Sequence, residues 1–127
     1  MSAGEVLRAA LLAHLGGVVR VFDAPPLRAS MPQVVLDDPV LAAADAAGVR
    51  GRVGTIAVGY ADDGESPVRL RALIAVVEAA MDGVPADLGG GGWRLATLRL
   101  TRSRLWRGKS DRWVAMSEFA VRMYRIN

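Results

Sequence analysis

Residues 66–83 read SPVRLRALIAVVEAAMDG, and this stretch decides the architecture. Ser66 can accept a hydrogen bond from an otherwise unpartnered N–H of a first helical turn. Pro67 suits the first helical position, where a missing donor costs nothing. Leu70, Leu73, Ile74, Val77 and Met81 recur at spacings that put them on one helix face, with Arg69, Glu78 and Asp82 expected outside it. Gly83 marks the stop, because glycine tolerates the left-handed conformation that closes a helix. Burying this stripe contributes ~10 kcal/mol gross at ~2 kcal/mol per side chain, most of it offset by chain ordering. The face therefore demands a partner surface, which the flanking sequence must supply.

Immediately before the helix, Asp62-Asp63-Gly64-Glu65 reads as a polar turn, preceded by strand character over Arg52 to Tyr60. Val53, Thr55 and Ala57 alternate there with Ile56, Val58 and Tyr60, and the small residues on one side predict close approach of another element. After the helix, Val84 to Gly92 ends in four glycines, which predicts a mobile surface loop. The last third reads as one long β-hairpin. Trp93 to Trp106 and Trp113 to Ile126 are its arms, Arg107 to Asp111 its turn, and a parity shift near Ala96 predicts a bulge.

Toward the N-terminus, Ala3 to Leu15 carries Val6, Leu7, Ala10, Leu11 and Leu15 on one helical face, and Gly16-Gly17 stops it. Val18 to Phe22 and Gln33 to Leu36 are short β-prone runs separated by Asp23-Ala24-Pro25-Pro26. Asp38-Pro39 breaks the second run. The alanine-rich piece Val40 to Ala47 is either a short helix or an irregular excursion ending at Gly48. Together these elements predict an α+β fold: an antiparallel sheet of about four strands, two main helices packed on one face, and a long C-terminal hairpin. A chain of 127 residues has room for a single domain, residues 1–127.

Composition excludes several function classes. There is no cysteine, which removes disulfide frameworks, iron–sulfur sites and thiol catalysis. The 52% apolar content is dispersed, and no apolar run approaches membrane-helix length, so a soluble chain without a membrane partner is expected. The N-terminal residues lack the pattern of a secretion signal. Net charge is +3 but polarised: from Arg94 onward, nine basic residues face only Asp111 and Glu118, while the preceding part is acidic overall. Such asymmetry fits a nucleic-acid surface or a complementary protein surface.

No catalytic, cofactor-binding or metal-ligating constellation emerges from the residues. Ser103 to Ser110 ends like a phosphate-binding loop, but a serine stands where a glycine is needed, and a strand rather than a helix follows. Asp62, Asp63 and Glu65 lack the ligand spacing of a calcium loop, so a solvated turn is favoured. His14, the only histidine, has no nearby acid or cysteine and is expected at an edge or interface. Ser103, Ser110 and Ser117 have no histidine partner close in sequence, which argues against a hydrolase. Trp93, Trp106 and Trp113, interleaved with arginines, suit core or interface anchoring better than base stacking.

The order of pieces is itself informative. An N-terminal helix, Arg20-Val21-Phe22-Asp23 with a proline-rich link, Met31-Pro32-Gln33-Val34-Val35-Leu36, a strand at Gly54 to Tyr60, the helix Val68 to Met81 and a closing hairpin of Leu95 to Leu105 and Trp113 to Arg125 together resemble the tail completion or tail terminator family of long-tailed phages and gene transfer agents. The resemblance covers nearly the whole chain, with Asp37 to Arg50 longer and richer in alanine than the family pattern. It implies a structural virion protein rather than an enzyme. Such a subunit assembles in the bacterial cytoplasm into a hexameric ring at the head-proximal end of the tail tube. Its expected partners are further copies of itself, the tail tube protein and the head–tail connector or stopper, with genomic DNA passing through the bore. On that basis Arg99, Arg102, Arg104, Arg107, Lys109 and Arg112 are expected to meet acidic loops such as Asp62, Asp63 and Glu65 of an adjacent subunit or tube protein. The alternative is a small DNA-binding module that uses the same basic hairpin directly.

Overall fold

A computed structural model describes residues 1–28 and 30–126. Helix α1 (Ala3–Gly16) starts where Ser2 Oγ accepts the Glu5 N–H at 3.1 Å, and its Val6, Leu7, Leu11 and Leu15 are all buried. Strands β1 (Gln33–Leu36), β2 (Val40–Ala43) and β3 (Val49–Asp62) follow, then helix α2 (Val68–Met81), strand β4 (Arg94–Arg107), a 3₁₀ turn at Lys109–Asp111, and strand β5 (Trp113–Ile126). The cap of α2 falls one residue later than the sequence suggests. Pro67 itself is the cap residue, and Ser66 Oγ accepts the Val68 N–H at 3.3 Å.

The five strands form one antiparallel sheet in the order β1-β3-β5-β4, with β2 pairing β3 alongside β1. β3 is longer than the Arg52–Tyr60 run predicted, because β5 backs it continuously from Val49↔Ile126 to Asp62↔Trp113. The piece from Val40 onward is a strand rather than a helix. Alanine favours helix intrinsically, but the ladder to β3 outweighs that preference over so short a segment. Of the Val18 to Phe22 run, only Phe22 reaches the sheet, in a parallel bridge to Val35.

Both helices lie on one face of the sheet. Ile56, Val58 and Tyr60 of β3 and Ala115, Ser117, Phe119, Val121 and Met123 of β5 point into that layer and are buried there with Leu70, Val77 and Met81 of α2. Among the described residues, no helix covers the opposite face. Two register shifts in β4, between Leu95 and Thr97 and between Leu100 and Arg102, set which of its residues reach which side. The first is the bulge expected near Ala96. With both in place, Arg94, Arg99, Arg102, Arg104 and Trp106 fall on the uncovered face, opposite Tyr124, Ala120, Glu118, Met116 and Val114 respectively.

The glycine-rich segment is anchored rather than loose. Leu88 and Trp93 are buried, and Leu95 N–H bonds back to the Ala86 carbonyl at 2.7 Å. Gly89, Gly91 and Gly92 all adopt left-handed backbone angles, so the run answers a conformational demand that other residues meet poorly. Trp93 closes the core end, with the Arg52 and Arg125 guanidinium groups 5.4 and 5.1 Å from its ring.

Candidate assembly surface

The acidic turn and the hairpin tip meet within the same subunit. Asp62 ends β3 on the helix side and is only 1% exposed. Its carboxylate accepts two bonds from Arg69, at 2.9 Å from Nε and 2.6 Å from Nη2, and one from the Asp63 N–H at 2.9 Å. Those bonds hold the Asp62 carboxyl below the usual carboxylate range, with burial working against them. Asp63 pairs with Arg112 at 2.9 Å, and Arg107 donates to the Glu65 carbonyl at 3.3 Å while its guanidinium lies 4.6 Å from the Trp113 ring. Arg69 and Asp62 thus form a brace that the sequence hides, because the turn reads as solvated.

That brace predicts a pH dependence. Asp62 is deprotonated more readily in the folded chain than in the unfolded one, so its contribution is complete above the unfolded value of ~4 and is lost as pH falls through the lower native value. Denaturant titrations will show stability falling below about pH 4. Asp62→Asn will lower stability at pH 7 and flatten the acid limb. An unchanged acid limb in that variant would remove Asp62 as its cause.

A second polar cluster lies beneath α2. Ser103 and Ser117 both donate to Glu78 Oε2 at 2.6 Å, and Ser117 Oγ lies 2.9 Å from the Tyr60 hydroxyl. Burial pushes the Tyr60 phenol up, so it stays a neutral donor. Glu78 is expected outside the apolar stripe of α2. It stands four residues after Ile74, however, which turns it toward the sheet edge, where the two serine hydroxyls satisfy it. These serines are structural ties with no histidine beside them.

His14 Nε2 lies 2.7 Å from the Ala80 carbonyl, tying the end of α1 to the end of α2. Ser110 sits in the hairpin connection between two strands with left-handed backbone angles, which is not the setting of a phosphate loop. Among the described residues there is no group of three or more His, Cys, Asp or Glu side chains able to hold a metal ion.

The β4 arginines outside these ties lie on the uncovered sheet face. Arg99, Arg102 and Arg104 are exposed there, and the Arg104 guanidinium stacks 4.1 Å from the Trp106 ring. Arg102, Arg104 and Trp106 line a shallow hollow of about 230 Å³ with Met116 and Glu118. A second hollow, about 310 Å³, continues from Trp106 and Met116 across Ala61 and Gly59 to Val35 and Pro25. Lys109 and Glu65 are exposed at the tip. The surface therefore combines an arginine row, a half-buried tryptophan and a mainly apolar trough.

No curated protein sequence matches the chain. A chain from the virion of a native gene transfer agent particle is similar in structure, with a TM-score of 0.70 and 27% sequence identity, covering 94% of this chain and 90% of that one. The family model of the tail completion protein gp17 matches residues 6–124, from the first turns of α1 nearly to the end of β5. The chain belongs to the tail completion protein gp17 family.

Proposed function

We propose that the protein is a structural component of a phage-like particle that forms a ring, six copies in a full turn, at the head-proximal end of the tail tube. There it stops tube polymerisation and presents a surface to the head connector or stopper, and genomic DNA passes through the bore without sequence-specific contact. The family match over residues 6–124 carries this reading, and the similarity to a gene transfer agent virion chain supports it. The polar groups beneath the helices are used in holding the fold, which accords with a protein that does no chemistry of its own. Arg99, Arg102 and Arg104 are the residues we assign to contacts with a neighbouring subunit or the tube. Asp62, Asp63, Arg107 and Arg112 brace the tip that carries Glu65 and Lys109.

Deleting the gene in a strain that makes the particles will yield tails of irregular length that lack heads, scored by electron microscopy. Normal-length, head-joined particles from the deletion strain would overturn the proposal. The same arginine row beside Trp106 is also the surface a DNA-binding module would use. Gel shifts at two salt concentrations separate the readings, since phosphate-dominated binding weakens steeply with salt.

A further inference from the structure

The sheet ends in two unequal edges. On one side, β4 is the last strand; residues 86–88 pair its outer edge as far as Leu95, where Leu95 N–H bonds the Ala86 carbonyl, and beyond Leu95 no strand pairs that edge among the described residues. On the other side, β1 is already covered: Phe22 N–H bonds the Val34 carbonyl and Leu36 N–H bonds the Phe22 carbonyl, each at 2.9 Å. Among the described residues, only β2 keeps a free outer edge there, and its Val40 is 72% exposed.

We infer that the ring closes by antiparallel pairing of the β4 edge of one copy with the β2 edge of the next. This rests on the ring reading above and names the contact that would build it. Strand polarity permits it: β1, β2 and β5 all run opposite to β3, and β4 runs opposite to β5. β4 and β2 of one chain therefore point in opposite directions. A rotation about an axis along the strands preserves direction, so the junction continues the antiparallel alternation.

The charges match along the same rungs. Asp37 N–H bonds the Ala57 carbonyl at 3.0 Å, and Ala57 leads across the sheet to Glu118 and then Arg102. Val40 leads through Thr55 and Ala120 to Arg99. An unstaggered junction thus sets Asp37 of one copy level with Arg102 of its neighbour, with Val40 beside Arg99. Among the described residues, Arg94, Arg99 and Arg102 form no ion pair within the chain.

The helix side is consistent with the same contact. Leu100 is 41% exposed and Val76 of α2 46% exposed, because the layer of helices stops short of β4. The first turn of α1 packs beside β2, where a Cβ at Gly4 would lie 3.4 Å from Pro39. An arriving β2 therefore brings the start of its own α1 over Leu98 and Leu100.

The chain has no cysteine, so engineered pairs report the junction cleanly. Val40→Cys combined in one chain with Thr97→Cys, Arg99→Cys or Arg102→Cys places thiols on the uncovered face at three registers. Within one copy β2 and β4 are three strand spacings apart, about 14 Å, too far for a disulfide. Oxidised particles carrying the matching pair will shift the chain from its 13.5 kDa band to a covalent ladder on a non-reducing gel, whereas single-cysteine variants will not form the ladder. Particles that hold a ring of this chain yet show no ladder for any pair would overturn the edge pairing and leave the ring reading intact. Particles without such a ring would overturn both. An independent check is charge exchange: Arg102→Asp and Asp37→Arg each reduce head-joined particles, and the two together restore them. A combined variant as poor as the worse single one would count against the contact.

Discussion

Gly54→Ala will lower the unfolding free energy by ~3 kcal/mol, read from denaturant titration. A Cβ at Gly54 would lie 1.8 Å from the Val40 carbonyl oxygen and 2.9 Å from its carbon, both backbone atoms that no side-chain rotation can move. Gly51 is constrained in the same way, 2.3 Å from the Ala44 carbonyl oxygen. Relief requires β2 to leave β3, which strips the Val40–Ala43 ladder and uncovers Leu41. Gly16→Ala is the control. That glycine closes α1 with nothing within 4 Å of a new Cβ, so alanine there gains ~0.5 kcal/mol from helix propensity. Equal titrations for the two variants would show that β2 is not held against β3. Since β2 also supplies the inferred ring edge, Gly54→Ala should abolish assembly at temperatures where the rest of the subunit stays folded.

Those two glycines show what the sequence reveals and what it conceals. Alternation along β3 signals close approach of another element, but it points to the Val53, Thr55 and Ala57 side. The tightest contact falls instead on the other side, at Gly54, where β2 pairs, while Gly51, close to the Ala44 carbonyl, shares the face of Val53. β2 itself is illegible, because four residues of Val-Leu-Ala-Ala carry no strand signal without the partner they pair with. Strand β1 reads correctly at Gln33–Leu36, as do the longer elements whose period is set by burial: both helices and the C-terminal hairpin with its bulge at Ala96. The second register shift, near Thr101, leaves no mark in hydropathy, since exposed polar residues surround it. Yet it decides the site, because without it Arg102 and Arg104 would point toward the helices. Asp62 is the complementary case. An acidic residue in an Asp-Asp-Gly-Glu turn reads as solvated, and only its place at the buried end of β3, within reach of Arg69, makes it a brace.

Phe119→Ala will cost ~4 kcal/mol, whereas Leu100→Ala will cost ~1 kcal/mol, although the two residues share a rung and face the same side of the sheet. Phe119 sits at the centre of β5 between Ile56 and Leu100, is 2% exposed, and lies under α2; truncating it leaves a cavity that the surrounding sheet cannot close. Leu100 is 41% exposed because α2 packs over β3 and β5 and leaves the β4 side of the layer uncovered, so much of its surface is already wet in the isolated subunit. The pair therefore separates folding from assembly. Phe119→Ala should remove both the cooperative melt and the particles, while Leu100→Ala should leave the melt nearly intact and still reduce head-joined particles, because a neighbouring copy covers that leucine only in the ring. If Leu100→Ala changes neither melt nor particle yield, the leucine lies outside every interface and the helix side of β4 stays exposed in the virion. If it destabilises the isolated subunit as much as Phe119→Ala does, the helical layer already covers β4 and no second copy is needed to complete the core.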